Sequence, residues 1–169
     1  MNAAPQNLGA STAGFSPTSV LTREELLDHV RHPRNRGALP GADMVHEEVN
    51  PLCGDVVTIY AKLGMRDEGR KMKSTNDGGR SHHSSLITHL SFTGGGCIIS
   101  QAAASMLTEH VAGKTAEEVR NMERDDIEAM LGGRVSPSRV KCAMLPLVAL
   151  KNGITSLHIS HPPSLIAHL

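Results

Sequence analysis

Residues 86–113, LITHLSFTGGGCIISQAAASMLTEHVAG, decide the fold. Leu86, Thr88, Leu90 and Phe92 share one face of an extended segment, because side chains on a strand repeat with a period of two. Gly94-Gly95-Gly96 interrupts that pattern. From Cys97 to Ala112 it is replaced by Ile98, Ala102, Leu107 and Val111 near helical spacing, with Gly113 as a normal helix stop. A strand therefore gives way to a helix at a cysteine, and the chain on either side can be read outward from that junction.

Upstream, the residues from Asp43 to Leu63, including Val56-Val57-Thr58-Ile59-Tyr60, suit extended chain and are read as two strands. Residues 64–85, rich in Gly, Ser, Lys, Arg and Asp, are read as an oversized hairpin loop. Further back, Thr22-Arg23-Glu24-Glu25 forms a capping box with Leu21 and Leu26 as its staple, and the helix it opens stops before Pro33. His32 to Gly37 is a basic, turn-forming connector.

Downstream, Thr115 to Glu118 is a second capping box, and Asp125 with Glu128 starts a third short helix ending at Gly132-Gly133. A last helix begins around Ser136-Pro137. Pro146 lies inside it and cannot donate to the carbonyl of Cys142, a defect of about 3 kcal/mol in a helix interior but a small one in a first turn. The regular helix is therefore predicted to begin near Cys142 or to kink there. Strands followed by helices give an α+β fold, expected as a three-stranded antiparallel sheet packed on a layer of helices. One domain is expected over residues 21–154, with an uncharged tail at 1–20 read as disordered and a C-terminal tail at 155–169.

Seventeen Lys and Arg balance seventeen Asp and Glu, so no net field draws the chain to nucleic acid or acidic lipid. The aromatic residues are Phe15, Tyr60 and Phe92, too few for a base-stacking platform, and no nucleic acid partner is expected. The longest apolar run, Cys142 to Leu150, falls short of the roughly 20 residues that span a bilayer, so no membrane association is expected either. Three widely spaced cysteines make no closed disulfide framework and point to a reducing, cytoplasmic location.

Three stretches could carry chemistry. In Asn50-Pro51-Leu52-Cys53-Gly54-Asp55, residues two apart on extended chain would aim a thiol and a carboxylate at one point. Gly94-Gly95-Gly96-Cys97 delivers a cysteine to the first turn of a helix, where the dipole and free amides favour thiolate. Arg139-Val140-Lys141-Cys142 sets two cations beside the third cysteine. Three thiols and a carboxylate make four ligands, suited to zinc or to a thiolate-held iron-sulfur cluster. Spacings of 44 and 45 residues between successive cysteines exclude a zinc-knuckle pattern. They leave zinc, a cluster and inert buried thiols all open.

Other features have plainer readings. Gly113-Lys114-Thr115 lacks the glycine five residues earlier, where Thr108 stands, and is no phosphate loop. His82, His83, His158, His161 and His168 read as solvated polar positions. His110, 13 residues beyond Cys97 on the helix, is out of reach of a shared metal and is expected at the surface. Arg34 and Arg36 suit a solvated turn or a partner surface.

The motifs Asn50 to Asp55, Phe92 to Ser100 with Ala104 to Glu109, Gly113 to Thr115 and Arg139 to Ala143 occur in one order. Together they resemble the U-type iron-sulfur cluster assembly scaffold family, comprising IscU, SufU and the N-terminal part of NifU. Lys141 before the third cysteine is similar to the SufU branch, whereas the 45-residue spacing is too short for the extra SufU segment, so features of both branches are mixed. The Leu-Pro-Pro-Val-Lys of IscU is replaced by Val135-Ser136-Pro137-Ser138-Arg139.

The resemblance implies that Cys53, Asp55, Cys97 and Cys142 ligate zinc or a 2Fe-2S cluster, with Lys141 and Arg139 just outside them. It implies that Cys53 accepts sulfur from a cysteine desulfurase, a pyridoxal phosphate enzyme, and that a labile cluster is passed to recipient apo-proteins. The expected function is thus a scaffold protein. If the role is enzymatic, it is that of a zinc-dependent persulfide sulfurtransferase that activates the desulfurase.

Overall fold

Along Met44–Asn50 buried or half-buried residues alternate with exposed ones, the mark of a strand with one face on a core. This is β1. It pairs antiparallel with β2, Asp55–Met65, which pairs antiparallel with β3, Ser85–Gly95, giving the sheet order β1-β2-β3. Among the described residues there are also five helices: α1 (Arg23–Arg31), α2 (Ile98–His110), α3 (Ala116–Asn121), α4 (Arg124–Met130) and α5 (Val140–Ser160). The structure, a computed structural model, describes residues 23–65 and 85–160. The expected α+β architecture, a three-stranded antiparallel sheet on helices, is what these elements form.

Val57, Ile59 and Ala61 of β2, with Leu90 and Phe92 of β3, face the helices and are buried. Burying such side chains contributes about 1.5–3 kcal/mol for each large one. The inward side of β3 differs from the expected one. A register shift leaves Lys62 opposite His89 but Leu63 opposite Ile87, so Thr88 is an extra residue. Such a bulge reverses the alternation, burying Ile87 and exposing Thr88, while Leu90 and Phe92 stay inward.

α2 is the central helix. Every residue from Ser100 to Thr108 is buried, and Ala102, Ala103, Ala104 and Ser105 let α1, α5 and the sheet approach closely. Ile98, expected on its apolar face, is exposed. The connector after α1 is stitched to this core rather than solvated. Asn35 O accepts from Phe92 N at 3.1 Å, Gly37 N donates to Phe92 O at 2.8 Å, Arg34 N donates to Ser105 Oγ, and Arg34 Nη1 pairs with Asp28.

The capping box Thr115–Glu118 is present as expected. The capping box of α4 is formed by Glu123 and Asp126, two residues before the expected Asp125 and Glu128, with Asp126 accepting from Glu123 N at 2.7 Å. α5 starts at Val140, so Pro146 falls within its second turn. It runs to Ser160, six residues beyond the Ile154 at which the domain was expected to end. The capping residue Thr22, the tail at 1–20, most of the 64–85 loop with His82 and His83, and the tail beyond Ser160 with His161 and His168 lie outside the described residues. No helix of the described residues is long and apolar enough to cross a membrane.

Candidate metal centre

The end of β1, the start of β2, the loop before α2 and the first turn of α5 converge at one end of the sheet. Between β1 and β2 the chain turns over residues 51–54, with Gly54 N donating to Asn50 O at 2.8 Å and Cys53 N to the same oxygen at 3.3 Å. Gly54 has φ of +73°, which a side chain would resist. Cys53 and Asp55 are therefore brought together by a turn and not by the pleat of an extended strand. Cys53 stands exposed at its tip beside Leu52, which is 75% exposed.

Cys53, Asp55 and Cys142 offer ligand atoms that all lie within 4.8 Å of one another, and the two sulfurs are 3.5 Å apart. Cys142, buried in the first turn of α5, also receives a contact from Asn50 Nδ2 at 3.6 Å. Cys97 is the N-cap residue of α2, in extended conformation. It lies outside the 4.8 Å group but beside it, and its backbone N–H donates to Asp55 Oδ1 at 3.2 Å.

Burial pushes the Cys142 thiol up, and hydrogen bonding with Cys53 and Cys97 and the charge of Asp55 add to it, to about 12. The neighbouring cations do not offset this. Lys141 is exposed, and Arg139 lines a cleft of about 290 Å³ with Leu26, Ile99 and residues 131–136. For Asp55, burial acts upward, but the polar groups packed around it, the Ser100 hydroxyl, the Cys53 thiol and the Cys97 amide and thiol, outweigh it and hold the carboxyl below its usual range.

Whether a metal fits can be tested on Asp55. Its Oδ1 is taken by Cys97 N, whereas Oδ2 is buried without a hydrogen-bond partner, the Ser100 hydroxyl being bonded to Cys97 O at 2.9 Å. A buried carboxylate oxygen without a partner is costly unless something binds it. Two soft sulfurs beside it, with a third adjacent, match the donors that zinc and iron-sulfur clusters select. The residues present fit.

The glycines set this geometry by close packing. A Cβ on Gly96 would lie 2.6 Å from both Asp55 Cγ and Ser100 Oγ, and one on Gly94 would lie 2.0 Å from Val56 O. The motif therefore keeps glycine because the carboxylate and β2 occupy the space. In the sequence Asn50 stands out only as part of a motif. An Asn that opens a Pro-containing turn was the available signal that its side chain organises the loop, and Leu52 N does donate to Asn50 Oδ1 at 3.2 Å. His110, expected at the surface, is half-buried, and burial holds its pKa below the ordinary histidine value.

Residues 21–76 and 80–160 match the family model described as NifU-like N terminal domain. The chain is 32% identical over 152 residues to the zinc-dependent sulfurtransferase SufU of Bacillus subtilis, covering 80% of this chain and 90% of that protein. It is also 32% identical over 131 residues to the iron-sulfur cluster assembly scaffold protein IscU 1 of Archaeoglobus fulgidus, covering 78% of this chain and 72% of that one. Among solved structures, a nitrogen-fixing NifU-like protein (N-terminal) from Brucella abortus superposes with a TM-score of 0.60 over 85% of this chain and 99% of that chain. At 22% identity this likeness concerns the fold.

Proposed function

Because the chain belongs to the family of NifU-like N-terminal domains, we propose that it is an iron-sulfur cluster assembly scaffold. In this reading it accepts sulfur from a cysteine desulfurase, a pyridoxal phosphate enzyme, and holds a labile 2Fe-2S cluster as cargo for recipient apo-proteins. The carrying observation is the meeting of Cys53, Asp55 and Cys142 within 4.8 Å, with Asp55 Oδ2 unpartnered and Cys97 alongside. These four residues are the proposed ligands. The three free thiols are compatible with the reducing cytoplasm in which we place the protein.

Cys53 is the proposed sulfur acceptor, since it is the exposed thiol of the set. Its thiolate attacks the outer sulfur of the desulfurase persulfide. The bond between the two persulfide sulfurs breaks, the desulfurase cysteine leaves as thiolate, and Cys53 carries the new persulfide. A carboxylate is a poorer partner than thiolate for cluster iron, so Asp55 would leave one corner of the cargo open to exchange.

A second reading, a zinc-dependent sulfurtransferase that activates a desulfurase, is favoured by the contrast between exposed Cys53 and buried Cys142. A zinc ion would keep the thiolates deprotonated at neutral pH. Cys53 could then leave to take sulfur while the buried ligands stay.

Anaerobic purification with zinc and iron analysis, followed by incubation with a desulfurase, cysteine and ferrous iron, separates the two. Visible sulfur-to-iron absorption is the scaffold outcome. Tight zinc with stimulated desulfurase turnover and no chromophore is the sulfurtransferase outcome, and the absence of both outcomes would overturn both readings.

A further inference from the structure

Cys97 is carried by a run of three glycines, which provide no side chains of their own to hold it in place. Beyond the pairing of Gly94 and Gly95 with β2 and the bond from Cys97 N to Asp55, a further restraint comes from another segment. Arg36, in the connector after α1, donates from Nη2 to Gly94 O at 2.9 Å and from Nη1 to Gln101 Oε1 at 2.8 Å. Gly94 opens the glycine run. Gln101 lies one helical turn beyond Cys97, and its N–H donates to Cys97 O at 3.1 Å. One planar guanidinium therefore spans both ends of the segment that presents the thiol.

We propose that Arg36 is a positioning residue for the metal centre, fixing the Cys97 thiol relative to Asp55 and the other two sulfurs. The inference rests on the centre proposed above. Its geometry suits arginine, whose two parallel donors reach two acceptors that a lysine ammonium would not hold in the same fixed plane. The group also stacks over Phe92, 5.8 Å from the ring centroid. The connector does not need the guanidinium to stay docked. Its backbone is bonded to Phe92 on both sides, Arg34 N is bonded to Ser105, and Asn35 Nδ2 to Thr108 Oγ1. Removing the Arg36 head group should therefore loosen the placement of Cys97 and leave the fold intact.

The test is titration of the full-length, reduced, metal-free protein with cobalt(II), following thiolate-to-cobalt absorption, with a thermal melt of each metal-free variant. Arg36→Met is expected to weaken the midpoint about 10-fold, the size typical of groups that orient ligands, and to lower the band without changing the melting temperature. Arg36→Lys should fall near the Met variant. A wild-type midpoint and band in Arg36→Met, or full recovery in Arg36→Lys, would overturn the proposal. If Arg36→Met does not fold, Gln101→Met decides on the same criterion, because it removes one acceptor from the pair. Wild-type protein without the thiolate band would instead overturn the centre itself, and the brace with it.

Discussion

At Asp55 a single side chain faces two ways, and substitutions can separate its tasks. Oδ1 holds the start of α2 through Cys97 N, while Oδ2 is buried and unpartnered. Asp55→Asn retains an acceptor for the amide, and Asp55→Ala removes it. Both should slow cluster handover to an apo-protein and leave a longer-lived cluster, but only the alanine variant should lose about 1 kcal/mol in thermal or urea melts. An alanine variant that melts earlier yet transfers at the normal rate would remove Asp55 from the ligand set. Cys53→Ser should abolish persulfide labelling in mass spectrometry, and a label persisting on Cys97 or Cys142 would reassign the acceptor. Cys142 governs alkaline behaviour. Its thiol binds its proton more tightly in the folded than in the unfolded chain, so its contribution to stability is complete below the ordinary cysteine value, near 9, and is lost as pH rises toward about 12. Metal-free protein should accordingly melt at falling temperatures across that range. Metal binding, which must displace this proton, should tighten as pH rises.

From Gly94 to Gly96 the passage from the end of β3 into α2 is a steric fitting, and two neighbouring glycines should behave oppositely. Gly95→Ala meets nothing within 4 Å and should be tolerated, whereas Gly96→Ala collides with Asp55 and Ser100. The latter should cost about 1–3 kcal/mol and impair metal retention, as measured by melts and by zinc content after dialysis. α1 carries the acid-sensitive element. Burial and then the Arg34 charge hold His29 below its usual pKa, its Nδ1 standing 2.9 Å from Ser105 Oγ. Stability is therefore present above pH 6.5 and declines as pH falls below it, with half-buried His110 acting in the same direction. His29→Gln should flatten the fall in melting temperature between pH 7 and 5, and an unchanged slope would assign the effect to His110. At this scale the sequence was readable wherever local chemistry decides: the Thr115 cap and the helix after Cys97, although that helix stops at His110, three residues before Gly113. It misled where a distant partner decides. The Thr88 bulge, the burial of α2 on all sides and the docking of Arg36 depend on which elements pack together, and periodicity along one segment does not carry that information.

The whole molecule was legible as an order of elements. The convergence of Cys53, Asp55 and Cys142 followed from the family resemblance, whereas the turn that joins Cys53 to Asp55 and the buried amide of Asn50 had to be seen in place. A centre built from separate elements should tie metal to global stability. Zinc at a hundred times its dissociation constant should add about 2.7 kcal/mol, read as a rise of several degrees in melting temperature that a chelator reverses. An unchanged melt on zinc addition would mean that the elements are locked together without it. The proposed sulfur donors also stand far apart along the chain, at positions 53, 97 and 142. During synthesis the last of them is made after all three strands and α1 to α4, and a chain cut short before α5 lacks it altogether. If the proposed ligands hold the cargo, only a molecule translated past Cys142 and closed from β1 to α5 presents the complete set of donors, so loading would be confined to molecules that have already folded.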